Sequence, residues 1–114
     1  MRLHGTVPWI LAAAMFAMVG CAGGQLQEML GRHDHVGLVS YYQKEAEMHR
    51  AKAKQWGDAA QYYEQHREPH GKLEPAQHAA HCRALAELHQ KAAVEADALA
   101  ADHRAMVSTG GGGY

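Results

Sequence analysis

His78-x-x-His81-Cys82 is the densest run of metal-ligand side chains in this 114-residue sequence. On a helix, residues at i, i+3 and i+4 share one face. Two imidazoles and a thiolate there suit Zn²⁺ or copper. A chain that folds back at Gly71 also brings His66 and the loop residue His70 to the same end. His66, His70, His78, His81 and Cys82 therefore form the principal metal candidate, although no standard metal-finger spacing is present. A plainer account competes with it. His78 and Cys82 fill a helix–helix seam, Cys82 as a small hydrophobe, while His66, His70 and His81 face water. His49 and His89 are secondary metal candidates, one layer apart on opposite helices, with core filling as the alternative. His33, Asp34, His35 and His103 meet at the opposite end only if the lead-in folds back. The adjacent pairs Tyr41-Tyr42 and Tyr62-Tyr63 are expected to serve packing.

Histidine is the compositional outlier, with ten copies, all but His4 after Cys21. Copper or zinc is the cofactor class this abundance implies. With unperturbed pKa values near ~6.5 these side chains also gain positive charge in mild acid. Eleven basic against twelve acidic residues give no polyanion-binding surface, so no nucleic-acid partner is expected. The sequence has no Gly-rich phosphate loop, no nucleophile elbow and no paired-carboxylate site. Cys82 beside histidine on a helical face lacks an evident oxyanion hole. No enzymatic activity is expected.

The elements that must hold these residues are helices. Ser40-Tyr41-Tyr42-Gln43 reads as a capping box, opening a helix that runs to about Arg67. Glu68-Pro69 ends it, because the residue before proline is pushed out of the α region. Pro75, at a first-turn position, opens a second helix lasting to about Val107. Val39, Tyr42, Ala46, His49, Ala53, Trp56, Ala60 and Tyr63 follow coiled-coil spacing. So do His78, Cys82, Leu85, His89, Ala92, Ala96, Leu99, His103 and Met106. Folding at Gly71 predicts Tyr63 opposite His78, Ala60 opposite Cys82, His49 opposite Ala92 and Tyr42 opposite Leu99. Gly57, inside the first helix, marks a kink or the close approach of another helix. The fold class is all-α, an antiparallel two-helix hairpin of coiled-coil type. A second apolar edge, Met48, Ala59 and Tyr62 with Leu88 and Val94, predicts pairing of two hairpins into a four-helix bundle. After Cys21 there is no Ile and no Phe, so a monomer of this size has little with which to build a core.

The N-terminus has a different character. Arg2 precedes an apolar run from Val7 to Val19, too short to span a bilayer, which ends in Met18-Val19-Gly20-Cys21. This segment resembles the lipobox signal peptide of bacterial lipoproteins, with Met18 in place of the usual Leu. The resemblance covers residues 1–21 alone. It implies cleavage before Cys21, lipidation of Cys21 and anchoring in the envelope. Ala22 rather than Asp after the cysteine implies the outer membrane, facing the periplasm. The domain reading is signal peptide 1–20, lipidated tether and lead-in 21–37, helical hairpin 38–107 and Gly-rich tail 108–114. Three functions follow. The first is a membrane-anchored structural or interaction module, with a homodimer or an envelope protein as partner. The second is a His-rich copper or zinc buffer of the periplasm. The third is an acid sensor in which the seam histidines His49, His78, His89 and His103 charge and repel.

Overall fold

The computed structural model describes residues 23–68 and 74–109, and every regular element among them is helical. Helical turns over 23–31 (α1) lead into α2, His35–Gln65, and α3, Pro75–Ser108. The signal segment, His70, Gly71 and residues 110–114 lie outside the described residues. Among the described residues no helix is long and apolar enough to cross a membrane.

α2 begins earlier than the Ser40 signal predicts. Its N-cap is Asp34, whose carboxylate accepts the Gly37 N–H at 2.9 Å. That bond satisfies one of the backbone donors left open at a helix start. Ser40 lies inside the helix, where its donors already have partners. Most of 23–37, the tether and lead-in, is helical. The other end falls two residues short of the expected one. His66 is the C-cap, its N–H bonded to the Tyr62 carbonyl at 2.9 Å. α3 begins at Pro75, as expected. Proline there gives up a donor that would be open in any case, and the Gln77 amide oxygen accepts the Glu74 N–H at 3.0 Å.

α2 and α3 pack together extensively. Tyr63 stacks on His78, His49 meets His89, and His35 meets His103. From Tyr63 back to His35 along α2, the contacted residues on α3 run forward from His78 to His103. His35 and His49 are two heptads apart, as are His89 and His103, so the pairing repeats in step with a coiled-coil period. Extending that register brings Trp56 level with Cys82 and Tyr63 level with Pro75.

The face that α3 turns to its partner is not the predicted one. Its buried residues are Pro75, Ala79, Cys82, Ala93, Ala96 and Ala100, a three–four alternation that also passes through Ala86, His89 and His103. Only every second position of the expected seam belongs to it. Leu99 and Met106, expected inside, are 41% and 44% exposed. His49 meets His89 rather than Ala92, and Tyr42 stacks on His103 rather than packing on Leu99. The physical reason is size. A ridge of alanines lets two backbones approach closely, and the leucines are displaced to its flank.

The two flanks of the pair differ in character. Arg50 and Glu64 each follow a partner-facing position of α2, and Arg83 and Asp97 each follow one of α3. These four make the two cross-helix ion pairs among the described residues, Arg50–Asp97 at 2.7 Å and Arg83–Glu64. Both pairs are exposed, so they mark that flank as wetted more than they stabilise it. The opposite flank carries Tyr41, Met48 and Tyr62 from α2, with Leu85, Leu88, Leu99 and Met106 from α3. Glu45, Lys52 and Glu95 interrupt it. Val94, expected on this edge, lies away from it. α2 continues through Gly57, and a methyl there would meet nothing of this chain within 4 Å.

Candidate functional site

The corner between α1 and α2 sets the first functional side chains. The Asp34 N–H bonds to the Met29 carbonyl at 2.9 Å and the His33 N–H to the Leu30 carbonyl at 3.2 Å. This is the Schellman ending of a helix. Its left-handed position, usually glycine, is taken by His33 at φ 54°, a conformation histidine tolerates better than most residues. Asp34, at φ −76° and ψ 76°, then makes an inverse γ-turn, closed by the His35 N–H on the His33 carbonyl at 2.9 Å. One residue thus ends α1 and caps α2. Gly37 leaves room for this corner: a methyl at 37 would displace the Asp34 carboxylate from its capping position and press on the Met29 sulfur at 3.0 Å.

The corner delivers His35 to the last turns of α3. His35 Nδ1 and His103 Nδ1 stand 2.9 Å apart, with ring centroids 5.2 Å apart. One ring must donate from Nδ1–H and the other accept. His103 is held from its other side by Tyr42, stacked at 5.6 Å and 14°. The His33 ring lies 6.4 Å from that of His35. No fold-back of the lead-in is needed for this meeting, because His35 is the first residue of α2 itself. Two heptads along, His49 Nδ1 and His89 Nδ1 stand 3.0 Å apart, with centroids at 5.3 Å. All four rings of the two pairs are half-buried.

The principal sequence candidate is arranged differently. His78 is half-buried and stacked on Tyr63 at 4.9 Å. Cys82 is a buried free thiol on the α3 seam. His81 is exposed, and His66 stacks on Tyr62 at 4.1 Å, its Nδ1 within 2.9 Å of the Tyr62 carbonyl. His70 lies outside the described residues. Among the described residues no group of three or more His, Cys, Asp or Glu side chains is placed to hold a metal ion. What α2 and α3 do bring together are the two histidine pairs. Their sequence signal is the equal spacing, His35 to His49 and His89 to His103, which exists in the chain but is silent until the register is known. Tyr41, beside this region, has its hydroxyl pushed above the ordinary tyrosine value by burial, with Glu45 and Tyr42 adding to the effect.

The chain matches no protein-family model, and neither the curated proteins nor the solved structures gave a match.

Proposed function

We propose that this chain is a small helical lipoprotein of the bacterial envelope that acts as a structural or interaction module. In this reading Cys21 carries the lipid anchor. Residues 38–107, extended at their start to Asp34, form an antiparallel hairpin of coiled-coil type, and two hairpins pair through the apolar flank into a four-helix bundle. The observation that supports it most is the imbalance between what is inside and what is outside. Leu38 is the one large side chain fully buried among the described residues, and the rest of the apolar core is alanine and cysteine. Leu88 is 62% exposed, and Tyr62, Met48 and Leu99 remain outside as well. Burying a leucine contributes about 1.5–3 kcal/mol and an alanine much less. A hairpin with this core gains most of its stability from whatever covers that flank.

The test has two arms. Sedimentation of the chain should give a dimer, and Leu88→Lys with Met48→Lys should convert it to a less stable monomer. A monomer in the parent, melting no lower in the double variant, refutes the bundle. In a bacterial host, Cys21→Ala should leave an uncleaved, unlipidated precursor. Acyl-free Cys21 in the mature protein refutes the anchor.

A further inference from the structure

We propose that the two cross-helix histidine pairs, His35–His103 and His49–His89, are copper sites, each able to take one Cu²⁺ on two Nδ1 atoms. The inference is independent of the interaction reading above. It rests on geometry. Imidazole nitrogens bind such ions at about 2.0–2.1 Å, and Cu²⁺ favours a square or tetragonal arrangement of nitrogen and oxygen ligands. Two nitrogens on adjacent corners of that square stand about 2.8–3.0 Å apart. The two Nδ1···Nδ1 separations are 2.9 and 3.0 Å. Binding requires both rings to turn until their Nδ1 lone pairs meet at one point between the helices, with water on the remaining corners. A tetrahedral Zn²⁺ would set the nitrogens at about 3.3 Å, a small change once the rings turn, so the choice of copper rests on its place at the top of the divalent affinity order.

The proton balance is simple. Each pair now shares one Nδ1–H. The ring that carries it must move that proton to Nε2, a change of tautomer with no net release, and both Nδ1 atoms then present lone pairs. Tyr42 stacked on His103 restrains one ring of the outer pair, which lowers the cost of ordering it around the ion. Each bound ion would clip α2 to α3, and two clips two heptads apart would lock the register of the whole pair. Acid opposes binding, because an imidazolium has no lone pair to offer.

The experiment is a titration of the full chain with Cu²⁺ at pH 7.5, read by calorimetry and by electron paramagnetic resonance. Two equivalents are expected, each spectrum showing two coordinated imidazole nitrogens. His49→Gln and His103→Gln should each lose one equivalent, the double variant both, and His81→Ala neither. Circular dichroism checks that the glutamine variants keep their helix content. Should a variant unfold, the nitrogen count on the parent still decides. One imidazole per copper, or no binding at micromolar copper, overturns the proposal. So does full binding by a folded double variant, or loss of binding on His66→Ala and His81→Ala, which would move the site to the turn end.

Discussion

At the end where α2 begins and α3 finishes, His33, His35 and His103 come within ring-contact distance, and a Tyr42 stack and the Asp34 corner hold them there. At the other end, His66, His78, His81 and Cys82 are closer in sequence yet point to different surroundings: a Tyr62 stack, a Tyr63 stack, solvent and the helix seam. Proximity in sequence within one helix fixes only the angle between side chains. It does not fix which angle faces the partner. On α3 that choice went to the smallest residues, so Cys82 turned inward with the alanines while His81, one position earlier, turned out. At the other end a tight corner between helices, with defined backbone hydrogen bonds, decides where His35 points.

The largest effect should separate core from flank. Leu38 is 1% exposed and Leu99 is 41% exposed. Leu38→Ala should cost about 2–4 kcal/mol, toward the middle of the range for large-to-alanine core changes, and Leu99→Ala less than about 1 kcal/mol in the monomer. Urea unfolding of both variants measures this. Equal costs would mean that Leu99 is covered, most simply by a second copy, and would sharpen the case for the bundle.

A smaller difference is expected between the two helix starts. Asp34 serves as an end for α1 and a cap for α2, whereas Gln77 holds one backbone donor at the start of α3. Asp34→Ala should cost about 1 kcal/mol or slightly more, and Gln77→Ala about half of that. The first should also loosen His35 from His103. Amide exchange at Gly37 against that at Glu74 checks both. If the two variants melt alike, the α1–α2 corner contributes no more than an ordinary cap.

The smallest expected effect is at alkaline pH. The Tyr41 hydroxyl is raised above its ordinary value of 10 by burial first and Glu45 second. The folded chain therefore keeps that proton to higher pH than the unfolded one, and stability falls as pH rises past about 10. Ultraviolet titration of the parent against Tyr41→Phe should show one tyrosine ionising late and a flatter alkaline stability profile in the variant. Identical profiles would place Tyr41 in water.

Much of the architecture can be read from the chain directly. The three–four alternation and Pro75 specify two long helices, and the Tyr63–His78 contact is one that the spacing predicts. The start of α2 was hidden by two competing caps. Ser40 and Asp34 both offer an oxygen to an open donor, and the choice depends on α1 ending in a left-handed His33 that hands the chain on at Asp34. The candidate site was half legible. His49 and His89 stand out by type and spacing as rings one layer apart across the seam, and so does the group that includes His35 and His103, but the direct Nδ1-to-Nδ1 facing within each pair does not.

Sequence alone determined that this chain is helical, that its helices have a coiled-coil period, and that its apolar side chains are too few and too small for a large core. Those properties are local or compositional, so no partner needs to be specified for them to hold. Only tertiary structure decided which stripe of α3 faces α2. Two stripes a fraction of a turn apart both satisfy the spacing, one with leucines and one with alanines. The alanine stripe allows the closer backbone approach and leaves the leucines outside, while the register of α2 against α3 pairs His89 and His103, which lie on both stripes, with His49 and His35.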